Sequence, residues 1–528
     1  MRGKLFLMSL VLGCGDDPGS SSTESVTGSI GSSGGAEPTT VMSTSSGGSD
    51  ATVTGQASTT SEEPTSTSSS ETTAEPEVHG LRAEYWATYV DLAAERVDAT
   101  VDFDWGTGSP VDGVAPDRFS IRWTGSIDPP VSGELKIITV TDDGVRMWID
   151  DVLVIDDWHG QFAERNEAPI EVTAGVPVKI RLEYFELDMP ALAQLKWSSD
   201  TITEEVIPQQ HLRAAGAASG LPGPKPPYAN PVVPFDCPDP GILQVAEDRF
   251  FMVCTGGRFP IRQSRDLILW TDTGVTVLSE DKPPWAANGH RNWAPEIHLV
   301  DQQYVAYFTT VNGGDVLCIG AATASDPLGP YTVTGGPLVE DPVGVIDATF
   351  VEDQGAPFLV YKIDGNSKGQ PTPIYARQLA ADGLGFAGDP VQVLINEGNT
   401  WEGGVVEAPW MIKRGGYFYL FYSGNVYDHR YRTGVARGTS ILGPFEKHGA
   451  EILTNNEAWV GPGHGSIVQV NGLDYFVYHA WHNAGDGTQN GDKGRQVLVD
   501  RIDYEADWPR IHDGTPSRSP QLWPGVSP

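Results

Sequence analysis

The chain has 528 residues and carries 34 Lys plus Arg against 70 Asp plus Glu, a formal net charge of −36. That balance excludes nucleic acid as a partner, because a phosphate backbone needs a concentrated basic face. At roughly 100–200 residues per domain the length calls for more than one folded unit.

The amino terminus places Arg2 and Lys4 before the apolar run Leu5 to Leu12 and then Gly13-Cys14. A run this short cannot cross the ~30 Å of a bilayer core, so residues 1–14 read as an export signal. The LVLGC string resembles a bacterial lipoprotein signal, which implies that Cys14 is lipidated and becomes the new first residue. The expectation is an exported outer-membrane or cell-surface lipoprotein, with plain secretion as the alternative and no membrane contact beyond the lipid. Residues 15–77 are mostly Ser, Thr, Gly, Pro and Glu with almost no large apolar residues, and no Lys or Arg occurs between Lys4 and Arg82. Such a segment buries too little apolar surface to offset the entropy of ordering, and its acidic charge extends it, so it is expected to be a disordered tether.

Residues 78–216 change character. GLRAEYW, DRFSIRWTGSI, GELKIITVTDDGVRMWIDDVLVIDDW, VPVKIRLEYFE and ALAQLKWSS alternate apolar and polar residues between Gly, Pro and Asp turns. This pattern predicts a β-sandwich of about ten short strands. FSIRWTG and DDGVRMWID resemble the carbohydrate-associated module first described in the anthrax protective antigen. In sugar-binding members of that module two adjacent aspartates hold a calcium ion, and Asp142-Asp143 stands at the matching place. Two readings stay open: a calcium and sugar site, or a hairpin turn made by Asp142, Asp143 and Gly144.

A Pro-rich linker, residues 217–233, precedes five copies of one pattern in residues 234–515; residues 516–528 form a tail. The copies are DPGILQVAEDRFFMVC from Asp239, WAPEIHLVDQQYVAYF from Trp293, DATFVEDQGAPFLVYK from Asp347, EAPWMIKRGGYFYLFY from Glu407 and HGSIVQVNGLDYFVYH from His464, starting 54, 54, 60 and 57 residues apart. Each reads as a strand, a turn and a second apolar-aromatic strand, the opening of a propeller blade. The expected fold is all-β: a tether, a β-sandwich and a five-bladed β-propeller in which Asp239, Trp293, Asp347, Glu407 and His464 meet on one axis.

Inverting hydrolysis of a glycosidic bond needs one carboxylic acid to protonate the leaving oxygen and one carboxylate to activate water. Asp239 lies between Pro238 and Pro240, which leave it no helical option and suit it to the base. Glu407 has an extra methylene and stands beside Val405, Val406 and Trp410, an apolar setting expected to keep it protonated as the acid. Asp347 can repel charge on Glu407 and orient it.

CPDPGI, NWAPE, GVIDATF, VEAPW, PGHGSIV and GRQVLVDRIDYEADWP together resemble glycoside hydrolase family 43. The resemblance implies a catalytic propeller, inversion, Asp239 as general base, Glu407 as general acid, Asp347 as the pKa-tuning aspartate, and arabinose- or xylose-containing plant polysaccharide as substrate. It makes His464 a ligand of a calcium–water cluster, a hydrogen-bonded structural histidine being the other reading. Trp293 is expected to wall a sugar ring or to pack in the core. Arg495 is expected to hold substrate hydroxyls or to pair with a carboxylate. KIDGNSKGQPTP from Lys362 and SGNVYDHRYR from Ser423 look like rim loops. Cys237 and Cys254 either pair or stay as buried thiols. No cofactor is required, structural calcium aside, and a monomer is expected.

Two other functions compete. A retaining fructan-type furanosidase would carry WMNDPNG and RDP strings, which are missing, and a non-catalytic surface lectin would not need all three carboxylates.

Overall fold

The computed structural model describes residues 78–287 and 289–525. The export signal with Cys14 and the acidic tether lie outside them. Among the described residues no helix is long and apolar enough to cross a membrane.

Twelve strands between Leu81 and Ala214 form two antiparallel sheets of seven and five strands. In the strand Phe119–Ile127 the alternate residues Phe119, Ile121 and Trp123 enter the core between the sheets, as a period of two requires. Trp123 donates from Nε1 to Asp98 Oδ2 at 2.8 Å, and Tyr85 donates its hydroxyl to the same oxygen at 2.6 Å. The other face of the strand is covered as well, because Arg122 is buried against Glu183 (2.7 Å) and donates to the carbonyls of Leu221 and Pro222.

The Pro-rich connector is therefore pinned along its length. Trp158 Nε1 donates to the carbonyl of Lys225, and Tyr228 donates its hydroxyl to the carbonyl of Val499. Tyr89, Trp158 and Phe185 share one apolar core with Tyr228, Val233, Ile242 and Trp523. The sandwich and the sheets that follow are thus joined by a common core.

Asp142-Asp143-Gly144 is not a hairpin turn. The strand Gly133–Asp142 lies in the five-stranded sheet and Val145–Ile149 in the seven-stranded one, so this segment crosses between layers. Sequence spacing cannot separate the two cases, since both need a short polar break between strands.

Five further antiparallel sheets follow in chain order, with four, five, four, four and five strands, starting at Gly241, Trp293, Val345, Val406 and Trp459. The first strand of each neighbours the first strand of the next, and the fifth returns to the first. Ile242 N–H donates to Ser466 Oγ at 3.0 Å, Ser466 donates to the carbonyl of Pro240 at 2.8 Å, and Val233 bridges to Val497 of the last sheet. Side chains 224 to 264 residues apart in sequence close the series.

A left-handed residue stands two positions before the first strand of the first sheet and within that of each later sheet: Asp239 (φ 55°), Ala294 (41°), Asp347 (57°), Ala408 (55°) and His464 (45°). Strand pairing slips at the same place in the second to fifth sheets. The expected alignment of the five copies is therefore off by one residue in two of them, where Trp293 and Glu407 precede the left-handed residue. A bulge sets two residues against one on the partner strand and so re-aims side chains. Asp239, between its two prolines, is itself left-handed.

Candidate active site

On the second strand of each sheet, or just after it in the first sheet, stand Thr255, Thr309, Lys362, Ser423 and His479 in turn. Four of these accept the N–H of the left-handed residue of the next sheet. Ala294 donates to Thr255 Oγ1 (2.7 Å), Asp347 to Thr309 Oγ1 (3.2 Å), His464 to Ser423 Oγ (3.0 Å) and Asp239 to His479 Nδ1 (3.1 Å). A lysine ammonium cannot accept. At the third sheet the N–H of Ala408 therefore goes to Asp347 Oδ2 (3.0 Å), and Lys362 Nζ reaches Glu407 Oε2 at 2.8 Å.

This latch draws the three carboxylates together. Asp239 receives the Thr255 hydroxyl on Oδ2 (2.6 Å) and Arg495 on Oδ1 (2.9 Å), with His464 Nδ1 3.2 Å from the same oxygen. Burial pushes the Asp239 carboxyl up, but Arg495, His464 and His479 outweigh it and hold the group well below the usual carboxylate range. His479 is itself buried, which brings its pKa down to about 4 and keeps it neutral. A disulfide between Cys237 and Cys254 braces the segments that carry Asp239 and Thr255.

Burial also pushes Asp347 up, to about 7; the charges of Glu407 and Asp239 add to this, and His464 and Lys362 oppose it. Glu407 is not in the apolar setting its sequence neighbours suggested. Lys362 holds Oε2, and the Tyr431 hydroxyl donates to Oε1 at 2.9 Å. Residues adjacent in a strand point to opposite faces, so Val406 and Ala408 cannot clothe Glu407. Its surroundings come from the previous sheet and from a loop. The charges of Glu407, Asp347 and Asp239 all act on Tyr431.

Trp293 is half-buried, one residue before the Ala294 that bonds Thr255. Arg495 lies against Asp239, and its guanidinium stands 5.1 Å from the ring centre of the exposed Tyr427. Nδ1 of His464 faces Asp239, so only its other nitrogen is free for a metal. Asp142 and Asp143 lie far along the chain, in the sandwich, and they converge with Glu186 so that one oxygen of each falls within 4.8 Å of the others. Burial pushes Glu186 up to about 9, and its Oε1 has no hydrogen-bond partner. Three oxygen donors with an unpartnered buried one fit a hard cation such as calcium.

Sequence reasoning missed Lys362, Tyr431, Thr255 and His479 as members of the site. A signal was present, since the five repeats run into FMVCT, VAYFT, FLVYK, YLFYS and YFVYH, and only the third of these strings finishes on a lysine.

Carboxylates of opposed electrostatics thus meet beside the first strands of five successive antiparallel sheets. Residues 228–509 match the model of glycosyl hydrolases family 43, and residues 77–211 match the PA14 domain, a carbohydrate-associated module. The chain belongs to glycosyl hydrolases family 43, whose solved members are β-propellers. It is 33% identical over 238 residues to the β-D-galactofuranosidase of Aspergillus niger, covering 42% of this chain and 65% of that one. With the extracellular exo-α-(1→5)-L-arabinofuranosidase of Streptomyces chartreusis the identity is 27% over 293 residues, 51% of this chain and 88% of that one. An anti-sigma-I factor of Acetivibrio thermocellus is 41% identical over 135 residues, 25% of this chain and 21% of its own length. The crystal structure of a thermostable family-43 glycoside hydrolase superposes with a TM-score of 0.51 at 28% identity, covering 57% of this chain and all of that one.

Proposed function

We propose that this protein is an inverting hydrolase of arabinose- or xylose-containing plant polysaccharide, with α-L-arabinofuranosidase or arabinanase action favoured over β-xylosidase. The opposed electrostatics of two carboxylates carry this reading: Asp239 is held ionised by Arg495 and His464, while burial pushes Asp347, beside Glu407, up to about 7. The five sheets are then the five blades of the propeller, with the site at the centre of their first strands. Likeness to the Streptomyces arabinofuranosidase supports the sugar class and an exported enzyme.

In this reading Asp239 accepts a proton from water as the water oxygen bonds to the anomeric carbon. The glycosidic C–O bond breaks, its electron pair goes to the leaving oxygen, and Glu407 supplies the proton. Asp347 takes the N–H of Ala408 and so fixes the residue next to Glu407. Arg495 keeps Asp239 charged and lies where it can also meet a sugar hydroxyl, and Trp293 walls the ring. Asp142, Asp143 and Glu186 would hold calcium in the sandwich, where the ion would offer coordination positions to glycan hydroxyls. Residues 78–216 act as the glycan-associated module, 217–233 as its connector and 234–515 as the catalytic domain, carried on a lipidated Cys14 and the 15–77 tether.

Hydrolysis of debranched arabinan, xylan and nitrophenyl arabinofuranoside and xyloside, followed by proton NMR of the first-formed anomer, tests the assignment. Inverted product supports it; retained product points to a covalent aspartyl mechanism, and glycan binding without turnover points to a lectin.

The pH profile has a predicted shape. Asp347 holds the Ala408 N–H beside Glu407, so its charge acts next to the proposed acid. A group pushed up to about 7 is protonated below that pH, so kcat/KM should fall as pH rises through about 7. Asp239 stays ionised far into acid, so the acid limb should appear only below the normal carboxylate range.

A further inference from the structure

Lys362 is the exception in a five-fold series. At the equivalent positions Thr255, Thr309, Ser423 and His479 use a neutral acceptor to hold the next sheet's backbone N–H. Lys362 cannot, and the acceptor role has moved to Asp347. A fully buried ammonium is costly unless it is paired, and this one is paired three ways: Glu407 Oε2 at 2.8 Å, Asp364 Oδ1 at 2.9 Å and Asn366 Oδ1 at 3.0 Å. If latching the sheets were its task, a threonine would serve without that cost.

We propose that Lys362 is a positioning residue for proton donation: its ammonium fixes the Glu407 carboxyl and stabilises the negative charge left there when the proton passes to the leaving oxygen. The inference rests on Glu407 being the proton donor. Preorganised charge aimed at a group that becomes anionic in the transition state acts on kcat rather than on binding. The surrounding groups fit. Glu407 is faced by Lys362 from the third sheet's second strand, by Asp347 from that sheet's first strand and by Tyr431 from the loop before Arg432–Gly438, while Asp364, after the second strand, pairs with Lys362. Asp239 and His464 stand behind Asp347. Lys362 is thus the one cation in direct contact with Glu407 among the described residues.

The test uses Lys362→Thr, which restores the residue type of the sister positions, and Lys362→Met, each also in a Glu407→Gln background. Substrates are an unactivated arabino- or xylo-oligosaccharide, which needs proton donation, and the 2,4-dinitrophenyl glycoside, which does not. The expected result is a fall in kcat of about 10²-fold on the oligosaccharide, the lower end of what proton transfer contributes. KM and the rate on the dinitrophenyl glycoside should be nearly unchanged, and no further loss should appear in the Glu407→Gln background. Equal losses on both substrates, or an additive loss in the double variant, would make Lys362 merely structural and overturn the proposal. Should Glu407→Gln alone leave oligosaccharide turnover intact, the donor assignment itself falls and takes this inference with it. Circular dichroism and thermal unfolding of each variant separate misfolding from these outcomes, and the Glu407→Gln pairing keeps a readout if Lys362→Met does not fold.

Discussion

Glu407→Gln should lower kcat on an unactivated oligosaccharide by about 10³-fold while costing the 2,4-dinitrophenyl glycoside less than about tenfold, since a general acid supplies typically 10²–10⁴ only where the leaving oxygen needs a proton. Glutamine keeps the shape and still offers an oxygen to Lys362 or to the Tyr431 hydroxyl, but it has no proton to give. Lys362 retains Asp364 and Asn366, so the variant should fold. The measurement is a plot of log kcat against leaving-group pKa. A flat wild-type line that becomes steep in the variant is the expected outcome; two parallel lines would remove Glu407 from proton donation.

Asp239→Asn should behave differently on both counts. Activation of water is needed whatever leaves, so the loss should be uniform across leaving groups, about 10³-fold or more on the scale of general-base removal. Stability should drop too. Arg495, buried but for 14% of its side chain, would face a neutral amide, and removing one partner of a buried ion pair costs about 3–5 kcal/mol. The sign with pH follows from linkage. A group held below its unfolded pKa stabilises the protein above that unfolded value, and loses this contribution only as pH falls through the folded one. Wild type should therefore melt higher than Asp239→Asn throughout pH 5–9, with the gap closing only in strong acid. A gap that closes by pH 6 would mean that Arg495 and His464 do not set the state of Asp239.

The two variants separate base from acid by their leaving-group signatures. The separation matters because the structure does not place the protonated state where local sequence suggested. Val405, Val406 and Trp410 adjoin Glu407 in the chain, yet its contacts are Lys362 and Tyr431, and the carboxyl that burial pushes up is Asp347. Neighbours in a strand alternate faces, so the environment of a strand residue is set by whatever packs across from it.

Much of the architecture was legible. Alternating patterns marked the sandwich, although twelve strands stand where about ten were expected, and the five repeats gave five sheets in order. Asp239, Asp347 and Glu407 are three carboxylates in repeat-equivalent neighbourhoods, and the charges of Asp239 and Glu407 both act on Asp347. Arg495 lies against Asp239. The alternatives left open for Cys237 and Cys254 resolve to a disulfide, because the first and second strands of a hairpin bring residues 17 apart to a Cα separation of 5.3 Å.

Sequence by itself determined which residues could do chemistry and in what order the sheets carry them, because strand alternation and repeat spacing are local properties written residue by residue. Only the tertiary structure decided who faces whom. The left-handed residue in or just before each first strand shifted Glu407 by one position relative to Asp239, Asp347 and His464. The crossing between two layers brought Asp142 and Asp143 to Glu186, and closure of the ring set a lysine from one sheet against the glutamate of the next. Contacts between sheets join residues tens to hundreds of positions apart, and no local pattern records which of two successive side chains a bulge will aim at the centre.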